Sequence, residues 1–291
     1  MEIGHHVFTV HGFTTCASYA KSNDADIIQI FLRPPQNFKL APTKRENLEI
    51  LREDALKLKV KILIHGSYLI NLCKLSSDVA LQNGIASIIQ DLNESVILSA
   101  LGVVIHMGHN TAGISNKEAF DNYVKHVKHI LKNSISTSTL ILETGAGQGK
   151  EIATQLWELG QIRELLTKSE RKRVKFCIDT CHIYSAGYDL SDPEFVTILD
   201  KYIDNTLGWK NVVAIHLNDS KYCVGSKKDR HADIGKGYIC IDGIKSFIKI
   251  CIDRKIPMVL ETPADIYDGN KFTAKDQIKM IRNLFKNKKI D

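Results

Sequence analysis

The sequence predicts an α/β fold, a single closed barrel of eight strand–helix units that spans residues 1–291. Short β-branched apolar runs recur along the chain, amphipathic helical patterns lie between them, and no linker or low-complexity stretch interrupts the 291 residues. Six successive runs also end in a side chain that can bind a metal ion. Only a closed barrel would bring six such ends to one point, so the ligand pattern favours closure as well as an α/β class.

The predicted strands are continuous apolar runs, which are typical of strands buried on both faces and therefore of a parallel sheet. The polar residues that end the last six runs lie 36 to 45 positions apart, the spacing of strand–helix modules. The eight predicted strands are 3–7, 27–31, 61–65, 102–106, 139–143, 174–179, 212–216 and 257–261.

Apolar residues at helical spacing predict helices between the strands. One stripe lies in 44–59, a second lies in 117–132 after a possible capping residue, Asn116, and a third ends at Leu284. His126 and His129 lie on the second predicted helix, away from any strand end. We therefore expect both on the protein surface.

Composition excludes several protein classes. The chain is 44% hydrophobic and 25% charged, which excludes intrinsic disorder, and its net charge of +6 is compatible with a polyanionic partner. No apolar stretch approaches the roughly 18 residues that span a bilayer, and the first residues lack a signal-peptide pattern. The seven cysteines are scattered and odd in number, so we expect reduced thiols in an intracellular compartment and no secretion.

The strand ends carry the candidate chemistry. Buried together, several acids and imidazoles would be costly without compensating cations, and metal ions supply that compensation. Three further candidates follow strands six and seven at positions 182, 229 and 231. The predicted ligand set has five histidines and four carboxylates: His65, His106, Glu143, Asp179, His182, His216, Asp229, His231 and Glu261.

Imidazole and carboxylate ligands suit zinc, manganese or iron. Nine ligands exceed what one catalytic zinc requires, but with a bridging carboxylate they can hold three ions. Three divalent cations would outweigh four carboxylates and a hydroxide, so the centre would attract an anion such as a phosphodiester. Clustered metals activate water and stabilise a leaving oxygen, which indicates phosphoester hydrolysis.

Nearly the whole chain resembles endonuclease IV, the zinc-dependent abasic-site endonuclease family also called AP endonuclease family 2. The resemblance begins at Gly4-His5-His6-Val7 and extends to Glu261-Thr262. The motifs that carry it are His65–Leu72 (HGSYLINL), Glu143–Gly149 (ETGAGQG), Cys177–His182 (CIDTCH), Gly187–Leu190 (GYDL), His216–Ser220 (HLNDS) and Asp229–His231 (DRH).

The resemblance implies a TIM barrel with three zinc ions per chain. The first ion would be held by His65, His106 and Glu143. Glu143 would bridge to a second ion held also by Asp179, His216 and Glu261. The third ion would be held by His182, Asp229 and His231. Glu143 and Glu261 are expected to be essential for catalysis, with a hydroxide between the first two ions attacking phosphorus.

The implied substrate is double-stranded DNA with an abasic site or a blocked 3′ end. The family cuts 5′ to the abasic site, which leaves a 3′-hydroxyl and a 5′-deoxyribose phosphate, and similar enzymes trim blocked 3′ ends. Tyr68 and Leu69 match residues that penetrate the duplex. Gln36 stands where the family commonly has a basic side chain, with Arg33 earlier in the segment, and Arg230 is a candidate phosphate contact. We expect a monomer.

Two other functions are compatible with parts of the pattern. A sugar isomerase of the xylose-isomerase-like superfamily would share the barrel and part of the metal set, but it needs only one or two ions. His182, Asp229 and His231 would then be superfluous. A non-catalytic DNA-binding module would leave the complete ligand set unexplained.

Overall fold

Eight parallel strands close into a barrel in this computed structural model, which describes residues 1–36, 41–263 and 272–286. Neighbouring strands follow chain order around the ring, and the last strand pairs with the first. The barrel strands are β1 (Ile3–His6), β2 (Ile27–Ile30), β3 (Lys61–His65), β4 (Val103–Ile105), β5 (Leu140–Glu143), β6 (Val174–Asp179), β7 (Val212–His216) and β10 (Met258–Leu260).

Helices cover the outside of the barrel and bury one face against the strands. Among the described residues, no helix is long and apolar enough to cross a membrane. The helices are α1 (Cys16–Ser22), α2 (Arg45–Leu58), α3 (Val79–Ile97), α4 (Asn116–Asn133), α5 (Leu156–Glu164), α6 (Lys168–Arg173), α7 (Thr180–Ala186), α8 (Pro193–Thr206), α9 (Ile241–Asp253) and α10 (Ala274–Leu284).

All eight predicted strands are confirmed, with several ends shorter by one residue. Strands β4 and β10 stop one residue before His106 and Glu261, so these two side chains extend from the first loop positions. The prediction that Asn116 caps α4 is wrong. Ser115 is the capping residue, because its hydroxyl accepts a hydrogen bond from the backbone N–H of Glu118 at 3.2 Å.

The barrel interior is filled by one buried apolar side chain from each of seven strands. The alternation of a strand directs every second side chain inward, which is why each strand supplies a member of the same layer. The members are Ile27, Leu63, Val104, Ile141, Cys177, Ala214 and Val259. Strand β1 has Gly4 in this region, and a Cβ there would lie 1.6 Å from the carbonyl oxygen of Ile27, so only glycine permits this close approach.

A short hairpin follows β7 and holds the long segment that precedes α9. Strands β8 (Asp219–Ser220) and β9 (His231–Ala232) pair antiparallel. The buried carboxylate of Asp219 accepts backbone hydrogen bonds from Gly235, Gly237 and Ile239 at 2.9–3.0 Å. These bonds hold residues 235–239, which follow β9, against β8. They thereby help to keep His231 of β9 near the carboxyl end of the barrel.

Candidate metal centre

The residue two positions beyond each interior side chain points inward again, one layer closer to the carboxyl end of the barrel. Six of the predicted ligands occupy such positions, and His6 and Gln29 follow the same alternation on β1 and β2. The layer consists of His6, Gln29, His65, His106, Glu143, Asp179, His216 and Glu261. The apolar layer beneath this polar layer excludes water from its lower side.

His65, His106 and Glu143 form the first group of potential ligands. Their ligand atoms lie within 4.8 Å of one another. The Nε2 atoms of the two histidines are 3.2 Å apart, and they lie 3.4 Å and 3.2 Å from Oε2 of Glu143. Neighbouring strands β3, β4 and β5 supply this group, so strand order alone places the three side chains together.

A second group shares Glu143 with the first. It contains Glu143, Asp179, His216 and Glu261, again within 4.8 Å. Nδ1 of His216 lies 2.6 Å from Oε1 of Glu143 and 3.1 Å from Oε2 of Glu261. The two oxygens of Glu143 therefore face different groups, which is the geometry of a bridging carboxylate.

The third group lies beyond the ends of the barrel strands, on helix α7, on the hairpin strand β9 and on the loop before β9. His182 is in the first turn of α7, and Asp179 caps that helix by accepting the backbone N–H of His182 at 2.9 Å. Oδ1 of Asp229 lies 3.1 Å from Nε2 of His182 and 3.2 Å from Nε2 of His231. The structure thus brings all nine predicted side chains into one continuous cluster.

The donor atoms of this cluster fit metal ions. The Nε2 atoms of His182 and His231 are buried and make no hydrogen bond, although each lies close to a carboxylate oxygen. Their Nδ1 atoms are 2.7 Å and 3.2 Å from the backbone oxygens of Thr144 and Glu261, which orients the rings with Nε2 toward the cluster. Paired imidazoles and carboxylates with no other partner are the surroundings that a divalent cation requires.

Cys181 lies beside the third group, within 4.8 Å of Asp179 and His231 at their ligand atoms. Burial, together with the negative charge of Asp179, raises the pKa of its thiol to about 12. A thiol that holds its proton is a poor metal ligand. This supports a nitrogen and oxygen ligand set.

Charges in the cluster are strongly coupled. Burial raises the pKa of Glu143, but the facing imidazoles of His216 and His106 outweigh burial and hold it well below its ordinary value. Burial alone would lower the pKa of His231, yet Asp179 and Asp229 raise it to about 9. Burial lowers the pKa of His106 to about 4. Glu143 is therefore ionised beside imidazoles of which some, such as His231, hold a proton, whereas burial raises the pKa of Asp179.

Sequence analysis missed the residues that hold the ligands in place. Gln29 is fully buried, donates to Oε1 of Glu261 at 2.5 Å and lies 2.7 Å from Nε2 of His216. Asn218 donates to Oδ2 of Asp179 at 2.7 Å and accepts the backbone N–H of Glu261 at 2.9 Å. A polar residue within the apolar run of β2, two positions beyond an interior isoleucine, was the signal for Gln29.

The glycine-rich segment after β5 supports the third group. Glu151 accepts the backbone N–H of Gly147 at 2.8 Å, and Gln148 accepts the backbone N–H of Asp229 at 3.2 Å. Gly147 has a φ of 80°, a left-handed conformation that favours glycine. This segment therefore fixes the backbone that carries a predicted metal ligand.

Two of the predicted DNA contacts, Tyr68 and Arg230, line a cavity of about 610 Å³ whose wall also includes His106, His182 and Glu261. Tyr68 lines this cavity and is 55% exposed, and Leu69 beside it is 47% exposed. Arg230 also lines it, and Gln36 is exposed on the β2 loop. The neighbouring residues 37 and 38 of that loop lie outside the described residues.

Arg33 and His126 are both buried. Arg33 is buried against Asp91 and Glu94 of α3, so it does not offer its charge to a ligand at the rim. His129 is exposed as expected, but the expected surface position of His126 is wrong. Its ring is buried on α4, with Nε2 3.1 Å from the hydroxyl of Ser76 and Nδ1 2.8 Å from the backbone oxygen of Leu72, so it connects α4 to the β3 loop.

Comparisons with known proteins agree with this architecture. A family profile described as "Xylose isomerase-like TIM barrel" matches residues 17–284. A putative endonuclease 4 of Acanthamoeba polyphaga mimivirus is 39% identical over 91% of this chain and 86% of its own length. A probable endonuclease 4 of Methanosphaera stadtmanae is 35% identical over 98% of this chain and 99% of its own.

The crystal structure of endonuclease IV from Thermus thermophilus superposes with a TM-score of 0.77. The two sequences are 26% identical, and the match covers 97% of this chain and 98% of that chain. Together with the relatives named endonuclease 4, this agreement in fold and sequence identifies the group of barrel proteins concerned. The chain belongs to the endonuclease IV family.

Proposed function

We propose that this protein is a DNA repair endonuclease that hydrolyses the phosphodiester 5′ to abasic sites with three zinc ions. The observation that carries the proposal is the convergence of nine nitrogen and oxygen ligands at the base of an open cavity. The relatives named endonuclease 4 support a hydrolase of the deoxyribonuclease IV type. Each of the three groups of ligands would hold one ion.

Glu143 and Glu261 are the carboxylates on which catalysis depends most. Glu143 contacts histidines on both sides, so it would link two ions and fix their separation. Glu261 is held by Gln29, and its pKa is lowered to about 2 because His216 outweighs the effect of burial. When bound, the ions would lower the pKa of a water molecule and stabilise the departing 3′ oxygen.

The rim residues would select the abasic nucleotide. An abasic site lacks a base, so it stacks poorly and leaves the duplex at low cost. Tyr68 and Leu69 present apolar surface beside the cluster, where they could fill the space of the missing base. Arg230 and Gln36 would contact the backbone or the opposite strand.

Exposed lysines on the hairpin side extend the basic surface of the catalytic face. Lys227 and Lys228 are exposed, and the Lys228 ammonium lies 4.1 Å from the centre of the Tyr222 ring. Exposed lysines of this kind bind the phosphates of DNA, and such contacts do not depend on the base sequence. We therefore assign this surface to the flanking duplex.

The proposed products are a 3′-hydroxyl and a 5′-deoxyribose phosphate, and the same site would trim blocked 3′ ends. We further propose that residues 1–291 act as one catalytic domain, as a monomer inside the cell. The seven cysteines support a reducing compartment, because none is paired in the part of the chain that the structure describes.

A sugar isomerase remains the alternative that shares most with this architecture. The third ligand group argues against it, because His182, Asp229 and His231 would have no role in a site of one or two ions. The relatives named endonuclease 4 also favour the nuclease.

Elemental analysis combined with product mapping tests the proposal. We expect about three zinc ions per chain and incision of a labelled duplex only at its single abasic site, with ends that a polymerase can extend. A matched duplex with a normal nucleotide at the same position is the control. A fully active preparation with one ion per chain, or cleavage of both duplexes at equal rates, would contradict it.

A further inference from the structure

Phe8 continues the inward alternation of β1 beyond the polar layer. The strand places Gly4 and His6 toward the barrel axis, and the backbone at Phe8 is still extended, with φ −77° and ψ 131°. Phe8 is therefore the next inward residue. It lines the same cavity as His106, His182 and Glu261.

A row of aromatic rings connects Phe8 to Tyr68 across the ends of β1, β2 and β3. Ring centroids are 5.2 Å apart between Phe8 and His6, 4.6 Å between His6 and Phe31, and 5.1 Å between Phe31 and Tyr68. The inner ring of Phe31 is buried, whereas Phe8 and Tyr68 at the two ends are 59% and 55% exposed. The row therefore offers two exposed aromatic positions on a packed support.

The inner part of the row is held from below. Gln29 lies with Nε2 3.2 Å from Nδ1 of His6 and also donates to Glu261. Burial lowers the pKa of His6 to about 3, so its ring is neutral and packs as an aromatic ring beside Phe8. Phe8 therefore packs on His6 of the polar layer, and His6 is linked to Glu261 through Gln29.

We propose that Phe8 is a second base-stacking residue, which holds the nucleobase next to the abasic site on the same strand. The proposal rests on the proposed function and goes beyond it, because Tyr68 and Leu69 account only for the gap left by the missing base. A large aromatic ring exposed at the rim of a binding cavity is a typical platform for nucleobases, which all have a π-face.

The position of Phe8 favours a base over the abasic sugar itself. The sugar and its 5′ phosphate must reach the ligand cluster at the base of the cavity, below the rim. Phe8 lies two residues beyond His6, past the end of β1, and it lines the cavity with a ring that is 59% exposed. The first group that can stack on it is the base of an adjacent nucleotide.

The test uses the zinc-loaded full chain and three duplexes. The first has one tetrahydrofuran abasic site, and the other two have a second baseless nucleotide next to it on the 5′ or the 3′ side, with end labels to show which linkage is cut. We expect Phe8→Ala to lower kcat/KM on the first duplex about ten-fold, mostly through KM, which is the scale of one lost aromatic–base stack. On one of the two tandem duplexes the wild type should show the same loss, and Phe8→Ala should add nothing to it.

Three matched measurements make the result specific. Phe8→Trp should retain wild-type KM, because it keeps a stacking ring. Val10→Ala should behave as the wild type, because Val10 is 84% exposed in the same loop but does not line the cavity. Zinc content should be unchanged in all variants. Equal kcat/KM for Phe8→Ala and wild type, or an equal loss on all three duplexes, would overturn the proposal. A wild type that cuts none of the duplexes would instead refute the proposed function.

Discussion

The buried ligand cluster and the exposed rim of the same cavity are built in different ways. In the cluster, every predicted ligand has neighbours on at least two strands or loops, and Asp179 and His216 are fully buried. Away from the cluster, Phe8, Tyr68 and Gln36 lie on the segments that follow β1, β3 and β2, and all three are exposed. Six of the nine proposed metal ligands thus lie at strand ends, whose position the barrel dictates, whereas the residues proposed for recognition lie on loops that can vary independently.

The largest effect is expected from removing the carboxylate at the centre of the cluster. Glu143→Ala leaves four nearby imidazoles without their shared carboxylate, and it removes the only side chain common to the first two ligand groups. We expect a loss of at least about 10³-fold in turnover of an abasic duplex, together with loss of metal. Steady-state incision and elemental analysis of the same sample measure both.

The control for this variant is Glu164→Ala, which removes an exposed glutamate paired with Arg171 on the outside of the barrel. It should keep full activity and full metal content. Glu261→Gln should also lose several orders of magnitude. A folded Glu143→Ala protein that keeps one tenth of wild-type turnover would contradict the proposed role of the ligand cluster in catalysis.

The next effect concerns pH, because protons and metal ions compete for the cluster. The pKa of His231 is raised to about 9 by Asp179 and Asp229 despite burial. Its folded value exceeds the ordinary 6.5, so in metal-free protein this histidine stabilises the fold fully below about pH 6.5, and the stabilisation is lost as pH rises through 9. Thermal unfolding of metal-free protein should show this loss between about pH 6.5 and 9.5.

Zinc-loaded protein should not lose stability over this pH range. Metal replaces the protons, so stability should hold through about pH 9, whereas activity should fall below about pH 6 as ligand histidines protonate and release metal. Identical unfolding profiles with and without zinc would show that the cluster does not bind the ion. A rim variant such as Tyr68→Ala should leave both profiles unchanged.

The loop that carries Gln36 is attached to helix α3 by a network of buried ion pairs. Arg33 contacts Asp91 and Glu94, and Glu94 also accepts the backbone N–H of Thr43 at 3.3 Å, so one carboxylate holds both ends of the loop that carries Gln36. Arg33→Met leaves two buried acids unpaired, and we expect a loss of about 3–5 kcal/mol in unfolding free energy. Chemical denaturation measures it.

Two further variants separate burial from charge in that cluster. Arg45→Met removes an exposed arginine paired with Glu49, and it should cost at most about 1 kcal/mol. Adding Asp91→Asn and Glu94→Gln to Arg33→Met removes the unpaired charges and should recover part of the stability. Equal losses of unfolding free energy for Arg33→Met and Arg45→Met would mean that the buried ion pairs of Arg33 do not stabilise this loop.

The sequence predicted the barrel and six of the nine ligands because each continuous apolar run ends in a metal-competent residue. An inward apolar residue and a ligand two positions later can be read directly, as at Leu63 and His65 or Ile141 and Glu143. The residues that support the ligands and the loops could not be predicted from the sequence, because their partners are distant along the chain. Asn218 lies near Asp179 and Glu261 only because β6, β7 and β10 are neighbours, and the burial of Arg33 depends on acids 58 and 61 residues away.

The smallest effects should separate residues within the rim itself. Tyr68 is backed by Phe31, with ring centroids 5.1 Å apart, and lies beside His65, so its ring is already oriented for stacking. Tyr68→Ala should weaken binding to an abasic duplex by about 1–3 kcal/mol, the cost of a lost base-stacking aromatic. Gln36 is uncharged, and Gln36→Ala should cost clearly less. Neither change should alter binding to intact duplex, which depends on phosphate contacts.

Titrations of both variants against the abasic and the intact duplex at one salt concentration test whether Tyr68 enters the lesion. An equal loss on both DNAs for Tyr68→Ala would mean that its ring supports the loop instead of entering the lesion, and the rim would then differ from the cluster in exposure but not in function.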